Sequence, residues 1–408
     1  MQNTKDSRSS LNTTSLNDDL KFLINCCKTD PTEEDLKAIC SYLNTARLDL
    51  NTLISLANQH GILPLVYKTI KNLQPNSSFP NTQHVTISAE ILTKLKAHYM
   101  SISQRNMLMS SELIKIMNLL KENNIEALAF KGPALAQIAY GDITLRQYAD
   151  LDVLVKKEDI YKIDALLKAR GYQRVLKLSP VQEKVYIQNA QDLGFYHPKS
   201  ALHFEMHWSL LNEDYPMQID LDTIWKNLQT VKINQQEIKT FPTQELLPYL
   251  CIHGSKHLWE RIEWIKDIDL LIRKEDIDWE KIVKKVDDSG FEVMIYLGLA
   301  LALRLFETPL PKHITDHISD MKILNTLSDF VLQSWQSPKN TFQQTHAKLK
   351  LFPGIKEQAI YLHKILIKPS LNDYWFIDLP KPLYWVYYFV HPYLLIKKYL
   401  TKQNIHTE

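Results

Sequence analysis

Between Asn81 and Lys131 the chain contains neither glycine nor proline. Over that stretch apolar residues step by three and four through Leu92, Leu95, Tyr99, Ile102, Met109, Leu113, Ile116 and Leu120, and only Asn106 breaks the rhythm. An unbroken stripe of this period predicts one long amphipathic helix, or two in line. The texture changes at Asn124. Ile125–Phe130 is a short apolar run followed by Lys-Gly-Pro, and Tyr148–Val155 is a second strand-like run. Lys156–Arg170 reads as an amphipathic helix ending at Gly171, and Phe195–His197 and Ala201–Trp208 read as two strands joined by a Pro-Lys-Ser turn. Strands alternating with helices place an α/β or α+β module inside an otherwise helical chain.

The 408 residues are enough for two or three domains. Residues 1–19 are polar and read as a disordered tail, 20–123 as an N-terminal helical region, 124–245 as the α+β core, 246–336 as a C-terminal helical region and 337–408 as a basic, aromatic-rich tail. Glycine occurs nine times, and neither G-x-G-x-x-G nor G-x-x-x-x-G-K-[ST] is present, which excludes a Rossmann fingerprint and a P-loop. The N-terminus lacks the apolar core of a signal peptide, and four cysteines without metal spacing fit a reducing, cytoplasmic setting. The net charge of +2 hides an asymmetry: residues 339–402 hold ten lysines against three acids, a local +7. The aromatic run Leu383–Ile396 is too short for a typical membrane span. It suits a terminal element docked on the core, because apolar residues lie on nearly every side. A membrane-surface contact or a stacking platform for nucleic acid are the other readings, and the low overall charge weighs against nucleic acid.

Chemistry concentrates in Lys131-Gly132-Pro, Tyr140-Gly-Asp142, Arg146 and Asp150-Leu-Asp152. In a strand, residues two apart share a face, so Asp150 and Asp152 point the same way. Paired carboxylates suit a hard divalent cation such as Mg²⁺; a solvated strand face is the bland alternative. In His203-Phe-Glu205-Met-His207-Trp the two histidines share a face with Glu205 but lie about 13 Å apart along the strand, too far for a single ion to take both easily. Glu205 meeting Asp150 and Asp152 from a neighbouring strand is easier to build, with the histidines as polar neighbours. His253 and His257 sit four apart on a helix with no third ligand in view, so packing or acceptor contact suits them better than zinc.

A strand, a glycine turn, a helix, a D-x-D strand and a later strand with one acid form an order that resembles the DNA polymerase beta-type nucleotidyltransferase superfamily. More closely, Phe130-Lys-Gly-Pro-Ala-Leu-Ala, Tyr140-Gly-Asp142, Arg146, Asp150-Leu-Asp152-Val-Leu-Val and Glu205-Met-His207-Trp208 resemble an uncharacterised bacterial nucleotidyltransferase family. The segments starting at Leu56 and at His257 resemble its flanking helices. Lys-Gly stands where the wider superfamily usually has Gly-Ser or Gly-Gly. The resemblance implies an α+β, polymerase beta-like core, a small mixed sheet flanked by the two helical regions. It implies Asp150, Asp152 and Glu205 as catalytic residues holding two Mg²⁺ (or Mn²⁺) ions. Lys131, Gly132 and Arg146 would contact the nucleotide, and Tyr140, Asp142, His207 and His257 the substrates more loosely. The implied activity is NMP transfer from an NTP to an unidentified hydroxyl-bearing acceptor, a small molecule or a protein. The alternatives are a non-catalytic nucleotide-binding scaffold or an RNA-end nucleotidyltransferase.

Overall fold

The computed structural model describes residues 16–45, 49–73, 87–212, 215–377 and 379–401. Helices α1 (Asp18–Cys27), α2 (Glu33–Leu43), α3 (Leu50–Gln59) and α4 (Leu63–Asn72) start where their sequences supply caps. The Asn17 side chain accepts from Leu20, Thr32 and Asp35 form a capping box, Asp49 caps α3, and Pro64 lies in the first turn of α4. Leu16 is buried and Asn17 caps α1, so ordered chain begins inside the segment expected to be a disordered tail. Residues 1–15 of that tail lie outside the described residues.

The glycine-free stretch forms one helix of 34 residues, α5 (Ala89–Glu122). Its apolar stripe ends on Met109, Leu113, Ile116 and Leu120, which pack on one face of a sheet. Asn106, the break in the stripe, is buried for a purpose. Its Nδ2 donates to the carbonyls of Ile143 and Arg146 at 2.7 and 2.8 Å and so ties down the loop between the glycine turn and the acidic strand.

That sheet comprises β1 (Ala127–Ala129), β2 (Asp150–Val155), β3 (Gln173–Arg174), β4 (Asp192–His197) and β5 (Leu202–His207), in the order β1-β2-β5-β4-β3. Only β2 and β5 run parallel; the other neighbours are antiparallel. Between β1 and β2 lie the short helix α6 (Gly132–Leu135) and one π turn, Ala136–Tyr140. Helix α7 (Ile160–Ala169) follows β2, and α8 (Pro180–Asn189) precedes β4. One sheet face, with Leu151, Val153, Phe195, Phe204 and Met206, is sealed by α5 and α7. The other face carries Leu128, Phe130 and Leu154 into the core of the helical half. The architecture is thus mixed α+β, as the alternation of strands and helices predicts.

After β5 come α9 (Leu221–Lys226) and a hairpin of β6 (Gln229–Ile233) and β7 (Gln236–Thr240). Asn234 and Gln235 both take positive φ, the conformation a two-residue hairpin turn requires. Without an Asn-Gly signal, this hairpin does not stand out in the sequence. The helical half consists of α10 (Thr243–Lys256), α11 (Ile262–Lys274), α12 (Trp279–Ser289), α13 (Glu292–Phe306), α14 (Lys312–Asp320) and α15 (Lys322–Gln336). The tail is helical too: α16 (Thr341–Leu349), α17 (Ile355–Leu366), α18 (Leu371–Phe376), a 3-10 segment Lys381–Val386, and α19 (Tyr387–Thr401). It meets the rest of the chain where Tyr361 packs against Tyr215 and where Gln182 donates to the Tyr374 carbonyl at 3.1 Å, while Trp375, Phe376, Trp385, Tyr388, Phe389 and Tyr393 are exposed.

Candidate active site

The parallel pairing of β2 with β5 sets the site. Its register places Asp150 opposite His203 and Asp152 opposite Glu205. Directly opposed residues share a face, so Asp150, Asp152, Glu205 and His207 all project toward the helical half. Leu151, Phe204 and Met206 alternate with them into the core. His203 lies on the acidic face but is exposed and stands off from the group.

Asp152 is the hub and is buried. Lys131 Nζ donates to its Oδ1 at 2.9 Å, and His207 Nε2 lies 3.1 Å from the same oxygen. His207 Nε2 is also 3.2 Å from Glu205 Oε2. Asp152, Glu205 and His207 each offer one donor atom within 4.8 Å of the others, a grouping able to hold a metal ion. His207 is therefore a central member rather than a neighbour at the rim, and Asp150 sits one strand step outside this tightest group. Glu205 is the outermost member, its side chain 38% exposed against 3% for His207 and 2% for Asp152.

Electrostatics differentiate the acids. Burial, reinforced by the negative charges of Asp152 and Glu205, pushes Asp150 up to about 6. Burial would also raise Asp152, but Lys131 and His207 overcome it and hold that carboxyl well below the usual carboxylate range. For His207 burial opposes charging, yet its hydrogen bonds to Asp152 and Glu205 lift it to about 9, so the imidazolium persists at neutral pH. Its Nδ1 has no hydrogen-bond partner among the described residues, with Asp192 Oδ2 at 3.9 Å. Two protein cations thus already compensate Asp152, while Asp150 remains short of positive charge. The group could hold a metal ion, and the uncompensated Asp150 carboxyl beside it leaves room for added positive charge.

The glycine turn serves this strand. Gly132 has φ of +51°, and a Cβ there would come within 3.2 Å of the Asp150 carbonyl. The turn therefore needs glycine for conformation and for its close approach to β2. Lys131, just before it, is directed at Asp152 instead of solvent.

Arg146 requires a correction. Instead of lining the acidic face, it is buried and forms a bidentate pair with Asp267 of α11, both contacts at 2.9 Å. Tyr140 donates to the same carboxylate at 2.9 Å. These expected substrate contacts are spent on joining the core to the helical half. Glu263, one helical turn before Asp267, accepts from Gln147 N at 2.7 Å, and burial raises it to about 8. Asp142 is exposed and caps its own loop through Thr144. His253 and His257 pack around Trp264; burial, with Lys131 nearby, keeps both rings neutral.

Three contributors escape a motif reading. Asp192 approaches His207, Tyr249 packs beside Phe130 and faces the Lys131 ammonium, and Lys256 donates to Gln191 Oε1 at 3.0 Å. Burial, reinforced by Lys131, lowers Lys256 to about 8. Asp192 could have been found, since it opens a strand paired to Glu205's strand; Tyr249 and Lys256 lie on a helix whose approach to the acids is a tertiary event.

No curated protein matches the sequence. An antigenic nucleotidyltransferase-like protein from Paracoccidioides brasiliensis, with a solved crystal structure, aligns with 50% of this chain and 93% of its own at 18% identity and a TM-score of 0.30. The family described as uncharacterised nucleotidyltransferase matches residues 46–307, from α3 across the whole sheet to the end of α13. With both the D-x-D strand and its partner acid inside that match, which spans more than half of the sequence, the chain belongs to this nucleotidyltransferase family.

Proposed function

We propose that the protein transfers an NMP group from an NTP to a hydroxyl-bearing small molecule or protein, on a polymerase beta-type site held by Mg²⁺ or Mn²⁺. The observation that carries this reading is the opposition of Asp152 and Glu205 across parallel strands, with Asp150 on the same face. In this reading Asp150, Asp152 and Glu205 are the metal ligands. Bound divalent cations would supply the electrostatic clamp on the attacking and leaving oxygens of an in-line displacement. Glu205, the most exposed of the group, faces the acceptor and takes its hydroxyl proton. Lys131 and Lys256 neutralise phosphate charge, and Gly132 lets the backbone approach. Arg146 leaves the nucleotide set and becomes a brace. His207 orients Asp152 and Glu205 and balances their charge. The four free cysteines fit a reducing, cytoplasmic setting, and among the described residues no helix is long and apolar enough to cross a membrane.

One observation favours a second reading, nucleotide binding without turnover: Lys131 and His207 already neutralise Asp152. Incubation with each labelled NTP and Mg²⁺ or Mn²⁺, followed by gel and thin-layer analysis, decides between them. Transfer to an acceptor, or release of pyrophosphate that Asp152→Asn abolishes, supports the enzyme. Metal-dependent NTP binding with no product from any NTP supports the binding protein.

A further inference from the structure

The tail carries most of the large apolar side chains that are exposed among the described residues. Of the 18 large apolar side chains exposed among the described residues, 11 fall between Leu366 and Ile396. They are not scattered. Tyr388, Phe389, Tyr393 and Ile396 share one face of α19, and Trp385, in the 3-10 segment just before it, lies against Phe389. Trp385 and Phe389 are 61% and 69% exposed. Ring contacts of Trp385 with Phe389 at 6.1 Å and of Phe376 with Tyr393 at 6.4 Å make the stripe continuous with α18.

The opposite face of α19 is anchored. Tyr387 donates its hydroxyl to the Ile377 carbonyl at 2.8 Å and accepts from Leu379 N at 3.0 Å. His391 Nδ1 pairs with Asp373 at 2.8 Å. The polar side of the helix is therefore held inward and the aromatic side is presented outward. An exposed apolar patch this continuous marks a contact site.

Charge selects the occupant. From Leu379 to Lys402 the sequence has lysines 381, 397, 398 and 402 and no acid. Lys397 Nζ lies 6.0 Å from the Phe376 ring centroid, at the edge of the patch. A second copy seated on the patch would offer these lysines no acidic partner from the same segment. A single-stranded nucleic acid asks for cations tracking along the stacking rings, whereas the sequence has no lysine between Lys381 and Lys397, the stretch that carries Trp385, Tyr388, Phe389 and Tyr393. Pro392 lies inside the helix, which is far shorter than a bilayer span. We infer that α18 and α19 form an in-plane anchor for an anionic membrane surface, with the rings at the acyl boundary and the lysines at lipid phosphates and carboxylates.

The test uses the full chain in vesicle flotation, with phosphatidylcholine alone and with added phosphatidylserine. The attraction of lysines to an anionic surface predicts at least a tenfold gain in partition on adding phosphatidylserine, lost at high salt. Trp385→Ser with Phe389→Ser should cut partition at least tenfold with unchanged melting, since both side chains are exposed. Lys397→Glu with Lys398→Glu, a variant that keeps every ring, should remove the phosphatidylserine dependence. Absence of flotation on either vesicle overturns the inference, as does partition unaffected by both variants. So does a dimer that Trp385→Ser/Phe389→Ser makes monomeric, or an oligonucleotide that binds this face in place of vesicles.

Discussion

Asp150→Asn and Asp152→Asn should part company in metal-free buffer. Charge counting alone treats the two acids alike, each relieving repulsion when removed. The structure separates them. Asp152 is the buried counter-ion of Lys131 at 2.9 Å and of His207 at 3.1 Å. Its replacement by Asn leaves buried Lys131 without its counter-ion and His207 with Glu205 alone, and removing one partner of a buried pair costs roughly 3–5 kcal/mol. That should lower the melting temperature by about 5–10 °C. Asp150 carries the opposite sign. Its displacement from 3.8 to about 6 means ionising it in the folded chain costs up to about 3 kcal/mol. A carboxyl whose folded pKa is raised binds its proton more tightly when folded, so stability rises as pH falls through 6 toward 4. Asp150→Asn should therefore be neutral or stabilising at pH 7 and should flatten that dependence.

The assay is differential scanning fluorimetry in EDTA at pH 7 and pH 5, with calorimetry at the same points. Both variants should lose turnover by at least about a hundredfold if the acids hold the reacting groups as proposed. If Asp152→Asn melts at or above the wild-type temperature without metal, the ion-pair account of the site is wrong. Equal destabilisation by both variants would also refute the distinction, because it would make Asp150 another structural counter-ion.

Four further outcomes follow from the geometry. His207 is raised from 6.5 to about 9, so its contribution is complete below pH 6.5 and disappears as pH rises through 9; in EDTA the melting temperature should fall across that window, and His207→Gln should remove the fall. Arg146→Met should cost about 3–5 kcal/mol in a urea titration by stranding buried Asp267, and Arg146→Lys should recover only part because it loses the bidentate geometry. Gly132→Ala, forced to φ of +51° with its Cβ 3.2 Å from the Asp150 carbonyl, should cost about 1 kcal/mol in stability. Turnover should fall more than the stability loss explains, because the strand bearing Asp150 must shift. Titration calorimetry with NTP should show binding that requires Mg²⁺ or Mn²⁺ and vanishes in Asp152→Asn; stoichiometric zinc in purified protein would contradict a hard-oxygen site.

What the sequence discloses and what it hides follow the reach of each interaction. Local periodicity carries α5, β2 and β5, because burial of one face repeats within a few residues. It also carries the shared face of Asp150 and Asp152. It cannot give register: the residues suggest Glu205 on a strand beside Asp150 and Asp152, and only the sheet sets Asp152 opposite Glu205. The hairpin β6–β7 stays hidden because its turn residues, Asn234 and Gln235, are not a strong pair for positive φ. The misplacement of Arg146 is more instructive. An arginine four residues before a D-x-D reads naturally as a phosphate ligand, yet its partner is 121 residues away on α11. Nothing local distinguishes the two uses, because both need a cation on the same loop.

That distant pairing alters what the loop does. Asn106 of α5 holds its carbonyls from one side, while Arg146 and Tyr140 grip Asp267 from the other. The segment leading into Asp150 is thus clamped between the N-terminal and C-terminal helical regions before any substrate arrives. Fixing it in advance removes conformational entropy that binding would otherwise have to supply. A polar break in the α5 stripe and an arginine with no role at the acids are then two parts of one device. The helical flanks act on the acidic strand through it, even though they contribute none of the three carboxylates.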